Sequence, residues 1–286
     1  MTKEMRQHDP LGIQRVLVPK GFLPQQAEKL DPSLPIAQDE LLIEVESLNI
    51  DSASFHQIAN ICNKDVAAIE RHISELVAIR GKHHNPVTGS GGMLIGRVAQ
   101  IGPSFPLKEK PVEIGDRIAT LVSLTLTPLE IRKIRKIHIN TDRVDIEGHA
   151  ILFATGIFSK LPSDIPETVA LAVLDVAGAP AQTRRLVNDG DVVVVIGGGG
   201  KSGLLCLYEA KRKMDVKTIA VDYTHEAVER LDAFPFVDEV IQADARNAVE
   251  VMEKVWNATK GHMGDIVINV ANIPETEMAS ILSARP

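Results

Sequence analysis

A glycine-rich stretch at residues 192–203, VVVVIGGGGKSG, has the residue types and spacing of a phosphate-binding loop. Its Gly-Lys-Ser ending matches the close of the loop that nucleoside triphosphatases use, G-x-x-x-x-G-K-[ST]. The glycine that should open such a loop falls at Val195, inside the β-branched run. The loop is therefore too short to wrap a triphosphate, and the spacing disfavours a nucleoside triphosphatase.

The same stretch fits G-x-G-x-x-G, the fingerprint of dinucleotide binding, with Gly198, Gly200 and Gly203 as its glycines. In that pattern the first glycine allows a tight turn, the second lets the backbone approach a pyrophosphate, and the third lets a helix pack closely on a strand. Lys201 and Ser202 then open the helix, whose N-terminal N–H groups attract the phosphates. The alternative is a tight turn in a parallel sheet that binds no ligand.

An acidic residue occupies the position that distinguishes NAD from NADP in this kind of site. Asp222 closes the next strand-like run, 19 residues after Gly203, and its carboxylate would accept hydrogen bonds from the adenosine ribose. A carboxylate at this place repels a 2′-phosphate, and Tyr223, which follows it, is not basic. We therefore predict NAD rather than NADP as the cofactor. Asn269, at the end of the fourth strand-like run, is expected to approach the nicotinamide ribose.

Strands and helices alternate through the second half of the chain. Helical segments are predicted from about Lys201, from Thr224 and over about 246–259. Such alternation is typical of βαβ units, which build a doubly wound parallel sheet of the Rossmann type. The strand-like runs are VVVVI (192–196), VKTIAVD (216–222), VDEVIQAD (237–244) and DIVINV (265–270).

The first half of the chain is richer in strand signals, punctuated by glycine and proline. Apolar residues at helical spacing predict a helical segment over 52–80. The isoleucines at every third position of LEIRKIRKIH predict a second helix over 129–138. Its basic residues are expected to form a solvated face, and an anion site is the alternative. The strand-like runs lie at 41–50, 93–102, 116–126 and 149–157.

Length and punctuation divide the chain in two. Its 286 residues are enough for two domains. A Pro-rich segment, LPSDIPET at 161–168, marks a boundary between a β-rich substrate domain with a helical insertion, residues 1–165, and a dinucleotide-binding domain, residues 166–286. We expect an α/β protein with these two parts.

Composition excludes several classes of partner. The net charge of −7 disfavours nucleic acid and anionic membranes. No apolar run reaches about 18 residues, as a transmembrane helix requires, and the N-terminus lacks the apolar core of a secretory signal. Two cysteines form neither a disulfide framework nor a zinc cluster. We expect a cytoplasmic protein.

The segment RGKHHNPVTGSGG contains the polar residues of the first half that are best suited to a small charged substrate. Lys82, His83 or His84 could orient a carboxylate, and a histidine could transfer a proton near neutral pH. Thr88 and Ser90 are candidate polar contacts to the substrate. Histidines are also common on protein surfaces, so a purely structural role for each stays open.

Several landmarks resemble the medium-chain dehydrogenase/reductase superfamily. They are the turn Gly115-Asp116-Arg117-Ile118, the run GGMLIGRVAQIG (91–102), the segment LPSDIPET, and Gly190-Asp191 before the first strand of the second half. The resemblance implies a GroES-like β-rich domain followed by a Rossmann domain.

The positions of the catalytic zinc ligands in that superfamily are occupied by other residues. Asp51 stands at the cysteine position, Gly92 at the histidine position and Met93 at the glutamate position. Zinc needs soft or borderline ligands, so we predict no metal. The resemblance brings Asp51 near the nicotinamide, as a base or an ammonium ligand. From the residues alone Asp51 also reads as a helix cap, and Gly92 is expected to leave room for a branched substrate.

Six further segments are NIDSASF (49–55), RGKHHNPVTGSGGMLIG (80–96), IATLVSLTLTPL (118–129), DRVDIEGHAILF (142–153), LAVLDVAGAPAQ (171–182) and INVANIPETEMASIL (268–282). They resemble the zinc-free L-erythro-3,5-diaminohexanoate dehydrogenase family more closely. This resemblance implies NAD-dependent oxidative deamination of a small amino acid in lysine fermentation, by a homo-oligomer (dimer or tetramer), and it places Asp175 towards the cleft as a catalytic candidate. The family continues beyond the fourth strand, so we expect the Rossmann domain to be incomplete here. The alternatives are a zinc-free quinone or enoyl reductase and a non-catalytic nucleotide-binding fragment.

Overall fold

The computed structural model describes residues 9–213, 215–271 and 273–286. The chain separates into two compact units, residues 1–171 and 172–286. Within the described ranges, no helix combines the length and the apolar character needed to cross a membrane.

The first unit is built on a six-stranded antiparallel sheet in the order β6-β7-β3-β4-β5-β8. Along β3 the residues LLIEVESLNI alternate largely between buried and partly exposed positions, as a half-buried strand requires. The strands are β3 (Leu41–Ile50), β4 (Gly92–Ile101), β5 (Arg117–Thr120), β6 (Leu129–His138), β7 (Arg143–Leu152) and β8 (Phe158–Lys160), with a separate hairpin of β1 (Val16–Val18) and β2 (Lys29–Leu30).

Helices lie between β3 and β4 and at the end of the unit. The helical segment predicted over 52–80 is present as two helices, which are separated by a turn whose residues Asn63 and Lys64 have positive φ. The helices are α1 (Ser52–Ile61), α2 (Val66–Arg80) and α3 (Glu167–Leu174), which reaches the boundary between the units; short 3-10 turns lie at Ile13–Arg15, Leu124–Leu126 and Ile139–Thr141.

The helix predicted over 129–138 was wrong, because this segment is strand β6. In a regular strand, residues three apart point to opposite faces. Here the register shifts between Ile131 and Lys133 and again between Ile134 and Lys136, and each bulge adds one residue. The two bulges keep the isoleucines on the core side, where Ile134 and Ile137 are buried.

Two further strand predictions for this unit were too long. The run at 116–126 is strand only as far as Thr120, and a 3-10 turn takes its last three residues. The run at 149–157 contains only the end of β7, which begins earlier, at Arg143.

The second unit is a four-stranded parallel sheet in the order β11-β10-β9-β12, with helices in every connection. The predicted parallel sheet is thereby confirmed. The four residues that run from Val193 to Ile196 in its central strand are fully buried, as expected for a strand covered on both faces. The elements are α4 (Gly178–Leu186), β9 (Val192–Ile196), α5 (Lys201–Lys211), β10 (Lys217–Asp222), α6 (His225–Asp232), β11 (Glu239–Gln242), α7 (Ala248–Thr259), β12 (Ile266–Asn269) and α8 (Glu277–Ser283).

Candidate functional site

The glycine loop joins β9 to α5 and makes its tight turn one residue earlier than the sequence suggests. Gly197 has φ +81°, and a Cβ on it would lie 2.8 Å from the backbone nitrogen of Ala271. Gly198 has no such φ; a Cβ there would lie 2.9 Å from the Cβ of Ala220. The turn assigned to Gly198 is therefore made by Gly197, the first residue after the strand.

Gly200 and Gly203, the two later glycines of the loop, differ in the space around them. A Cβ on Gly203 would lie 2.3 Å from the carbonyl oxygen of Gly197 and 2.6 Å from that of Gly198, so the helix packs as closely on the loop as predicted. A Cβ on Gly200 would meet its nearest atom only at 3.6 Å. Gly200 caps α5, and the space beside it is open to a ligand.

The first turn of α5 can bind an anion. The backbone N–H groups of Lys201 and Ser202 belong to the first turn, which has no helical acceptors for its donors, and the helix dipole adds positive potential there. The ammonium group of Lys201 lies 3.5 Å from the carboxylate of Asp175. Asp175 lies in the turn between α3 and α4, so the structure brings these two predicted residues together.

A cleft of about 330 Å³ lies beside the loop, at the carboxyl ends of β9, β10 and β11. Ligands of open parallel sheets bind at this edge. Asp222 lines the cleft, and its carboxylate accepts hydrogen bonds from the N–H groups of Gly199 (2.9 Å) and Tyr223 (2.8 Å). These two donors fix the carboxylate, whose remaining lone pairs can accept from ribose hydroxyls. The side chain of Tyr223 is exposed.

The wall of this cleft contains an ion pair that the sequence did not predict. Arg246 follows β11 and lines the cleft, where a cation would favour a 2′-phosphate. Its guanidinium group is held by Asp244, with a shortest nitrogen–oxygen distance of 2.6 Å. This pairing lowers the pKa of the Asp244 carboxyl group. The motif D-x-R directly after a strand was the available signal.

Asn269 orders the opposite wall of the cleft. Its amide nitrogen donates to the hydroxyl oxygen of Thr276 (3.0 Å), and its side-chain oxygen accepts from the N–H of Ala271 (3.1 Å). Thr276 and Ala271 both line the cleft. Asn269 thus shapes the segment after β12, and the predicted contact to the ribose stays a prediction.

In the first unit, Asp51 lies between strand and helix, as both interpretations of it require. It follows β3 and caps α1, accepting the N–H of Ala53 at 3.0 Å. The same oxygen, Oδ1, accepts the hydroxyl of Ser90 at 3.0 Å, and Ser90 shares a hydrogen bond of 2.9 Å with Thr88. Asp51, Ser90 and Thr88 therefore form a chain of polar groups at the end of the sheet.

The expectation that Gly92 leaves room for a branched substrate was wrong. Gly92 has φ +107°, and a Cβ on it would lie 2.1 Å from the carbonyl oxygen of Asn49 and 2.7 Å from the nitrogen of Asp51. Its neighbour Gly91 is similarly close to the nitrogen of Thr125, at 2.7 Å. These glycines allow the backbones to pack closely; they do not enlarge a substrate pocket.

Two of the three basic residues before Thr88 point into the protein. Lys82 is fully buried and donates to the carbonyl oxygens of Pro24 (2.8 Å) and Gln25 (3.2 Å). Burial, with a smaller effect of Arg80, lowers its pKa to about 8. This geometry makes Lys82 an anchor of the loop and gives no support to the predicted contact with substrate.

His83 and His84 differ in exposure. His83 is fully buried, and burial lowers its pKa to about 4, so the ring is neutral at pH 7. A buried neutral ring is a core side chain, which argues against the predicted contact of His83 with substrate. His84 is partly exposed, and its pKa is also lowered, first by burial and then by Lys82. His84 stays a candidate.

A second carboxylate, which the sequence did not predict, lies at the end of β3. Asp142 follows the 3-10 turn between β6 and β7, and its Oδ2 accepts the hydroxyl of Ser52 at 2.5 Å. His56 lies 3.6 Å from its Oδ1. Asp142 is far along the chain from Asp51 and Ser52, so no local sequence pattern could indicate that it lies at the same end of the sheet. Among the described residues, no group of three or more His, Cys, Asp or Glu is arranged to hold a metal.

Comparisons with known proteins agree with this architecture. The family model of the L-erythro-3,5-diaminohexanoate dehydrogenase N-terminal domain matches residues 14–162. L-erythro-3,5-diaminohexanoate dehydrogenases from Acetoanaerobium sticklandii and Fusobacterium nucleatum are 49% and 46% identical over 276 residues, which cover 96% of this chain and 80% of each relative.

Solved structures share the fold at low identity. A mycobacterial quinone oxidoreductase has a TM-score of 0.56 at 19% identity, covering 92% of this chain and 68% of the other. An alcohol dehydrogenase from Thermus sp. ATN1 has a TM-score of 0.54 at 17% identity, covering 90% and 70%. These values support the predicted pairing of a β-rich domain and a Rossmann domain.

Proposed function

The chain belongs to the L-erythro-3,5-diaminohexanoate dehydrogenase family, and from this premise we propose that it catalyses the NAD-dependent oxidative deamination of L-erythro-3,5-diaminohexanoate. The substrate, water and NAD⁺ give 5-amino-3-oxohexanoate, ammonium, NADH and a proton. The observation that carries this proposal is the 49% and 46% identity to two dehydrogenases of that name, across 96% of the chain. The reaction suits a step of lysine fermentation.

The second unit would bind the cofactor. The turn at Gly197, the open space at Gly200 and the first turn of α5 suit a pyrophosphate. Asp222 suits an adenosine ribose with a free 2′-hydroxyl, and the pairing of Arg246 with Asp244 removes a free cation that would attract a 2′-phosphate. NAD⁺, when bound, supplies the acceptor for the hydride that leaves C3 of the substrate.

Asp51 is the general base of the proposed reaction. The C3 nitrogen arrives as an ammonium group, and it must lose a proton before its lone pair can assist hydride departure from C3. A positioned base contributes typically 10²- to 10⁴-fold to such a step. The hydrogen bonds from Ala53 and Ser90 hold one oxygen of Asp51. The other oxygen is then the one to receive the proton.

Hydrolysis completes the reaction. Hydride loss leaves an iminium at C3, to which water adds; the water gives up a proton and a carbinolamine forms. The carbinolamine nitrogen then takes up a proton, the C–N bond breaks, and the hydroxyl loses its proton as the carbonyl forms and ammonia leaves. The hydroxyl chain of Ser90 and Thr88 ends at Asp51 and offers a route for the proton that the attacking water gives up. We keep His84 as a candidate for binding the substrate carboxylate, and Asp175 with Lys201 as candidates beside the cofactor phosphates.

We further propose a cytoplasmic homo-oligomer, a dimer or a tetramer, that acts on a small amino acid. Cys62 and Cys206 are both free thiols, which suits a reducing compartment. Light scattering coupled to size-exclusion chromatography measures the number of subunits, and a monomeric mass would contradict the oligomer.

The decisive experiment compares two substrate and cofactor pairs. We expect NADH to form when the purified protein is given 3,5-diaminohexanoate and NAD⁺, with equimolar ammonium released. The control is NADPH consumption with a quinone or an enone, the reaction expected of a reductase with the same fold. NADPH consumption without diamine oxidation would overturn the proposed function.

A further inference from the structure

Asp142 lies one strand away from Asp51, at the same end of the antiparallel sheet. β3 lies between β7 and β4. Asp142 immediately precedes β7, and its carbonyl oxygen accepts the N–H of Ile50 at 3.0 Å. Ser90 lies on the other side, before β4. Adjacent strands are about 4.8 Å apart. The backbone segments that carry Asp51 and Asp142 are therefore separated by about one strand spacing.

The partners of Asp142 differ from those of two other half-buried acids in this unit, Glu46 and Asp145. Arginines lie 2.6 Å from Glu46 and 2.7 Å from Asp145. Asp142, whose side chain is 15% exposed, instead has the hydroxyl of Ser52 and the imidazole of His56, the latter 68% exposed. An imidazole is not a permanent cation as a guanidinium group is.

Among the described parts of the chain, no lysine or arginine forms an ion pair with Asp142, whose partners are Ser52 and His56. A half-buried carboxylate without such a countercharge attracts a cation. The Oδ2 atom of Asp142 already accepts the hydroxyl of Ser52, so a suitable cation must donate hydrogen bonds to the lone pairs that remain on the carboxylate. An alkylammonium group has three donors and a single charge. Asp51, exposed at the neighbouring strand end, offers a second acceptor to a ligand with two such groups.

We propose that Asp142 binds the C5 ammonium group of the substrate while Asp51 serves the nitrogen at C3. This assignment rests on the proposed function. The two nitrogens of a 1,3-diamine are separated by four bonds, a reach comparable to one strand spacing. The two carboxylates thus bind the two amino groups of a 3,5-diamino acid. Asp142 is the residue that distinguishes this diamine from a simple β-amino acid.

The test pairs one substitution with two substrates. Asp142→Asn keeps an acceptor for Ser52, and asparagine, like aspartate, tolerates the φ of +54° at this position. We expect kcat/KM for 3,5-diaminohexanoate to fall roughly 10- to 100-fold, the value of one lost charge-assisted contact. The kcat/KM for 3-aminohexanoate, which lacks the C5 nitrogen, should not change.

The controls separate the possible failures. Asp145→Asn alters a nearby acid that is paired with Arg143, and it should not change the ratio between the two substrates. If 3-aminohexanoate is oxidised too slowly to follow, its inhibition constant against the diamine replaces its kcat/KM. Equal losses for both substrates, or no loss for either, would overturn the role of Asp142. Wild-type protein that does not oxidise the diamine would instead overturn the proposed function.

Discussion

The two units build their sites by different means. In residues 172–286 the site is made mostly of backbone: a positive φ at Gly197, a close approach at Gly203 and the N–H groups of one helix turn. In the first unit the site is made of side chains at strand ends, where Asp51 and Ser90 meet. A backbone site requires glycine at fixed positions and is visible in the sequence, whereas side-chain sites use residue types that occur everywhere.

The difference also separates stability from chemistry. A Cβ on Gly197 or Gly203 would collide with neighbouring backbone, so a change at either position alters folding and binding together. Asp51 is exposed, and only its capping role concerns the fold. We therefore expect conservative substitutions of Asp51 to alter turnover while stability changes little.

The largest expected effect is on turnover. Asp51→Asn should lower kcat by roughly 10²- to 10⁴-fold, because the amide cannot take a proton. Asparagine caps helices as well as aspartate does, so thermal unfolding should change little. The matched control is Asp65→Asn at the cap of α2, which should leave kcat unchanged. Wild-type turnover in the Asp51 variant would remove this residue from the mechanism.

The next effect is on cofactor binding and stability together. Gly203→Ala places a Cβ 2.3 Å from backbone, so the loop must move, at a cost of about 1–3 kcal/mol. We expect this variant to have a lower melting temperature, which does not rise when NAD⁺ is added. In the wild-type protein, NAD⁺ at a hundred times its Kd should stabilise the fold by about 2.7 kcal/mol.

Gly200→Ala is the contrasting variant of the same loop. Its Cβ meets nothing closer than 3.6 Å, so the protein should fold normally yet bind NAD⁺ more weakly, because the methyl group occupies the approach to the pyrophosphate. Calorimetry and thermal unfolding on the two variants measure both quantities. If Gly203→Ala binds NAD⁺ as wild type does, the backbone explanation of this site is contradicted.

A smaller effect concerns pH and the interior of the first unit. The pKa of His83 is about 4 in the fold and about 6.5 in an unfolded chain. The unfolded state therefore binds the proton first, and stability is lost as the pH falls through this window. Between pH 7 and pH 5 the loss is about 2 kcal/mol.

Urea unfolding at the two pH values checks this expectation. His83→Met should flatten the pH dependence, while His225→Gln, at the start of α6 in the other unit, should not. An unchanged pH dependence in the His83 variant would show that this side chain does not titrate as its burial requires.

The smallest effect is on the choice of cofactor. Asp222→Asn keeps an acceptor for the N–H of Gly199 but removes the charge that repels a 2′-phosphate. We expect the NAD⁺ to NADP⁺ ratio of kcat/KM to fall about 10-fold. Asp232→Asn, on the exposed end of α6, is the control. An unchanged ratio would place cofactor choice elsewhere in the cleft.

Prediction from sequence was most accurate where the pattern is local. The strands and helices from β9 to β12 followed from apolar runs and their punctuation, although α8 was not anticipated. Strand β6 was mistaken for a helix because two bulges produce a three-residue repeat. Bulges depend on the neighbouring strand, so a single segment does not reveal them.

The candidate site shows the same limit. Asp51 was a candidate because of the resemblance and its place at a strand end, and Ser90 because it is a polar residue of the loop before Gly92; the hydrogen bond between them was not predicted. Lys82 and His83 were assigned to the substrate because of their chemistry, yet both side chains are buried. The direction of a loop side chain depends on what packs against it, and spacing carries no information about that.

The amino-acid sequence by itself determined the family, the parallel sheet and the glycine-rich loop with its acidic neighbour at Asp222. These features depend on backbone geometry and short-range spacing, which constrain residue type directly. Only the tertiary structure brought Asp142 to within one strand spacing of Asp51, 91 positions earlier in the chain. Antiparallel pairing of β3 and β7 makes them neighbours, and that pairing results from packing the whole sheet.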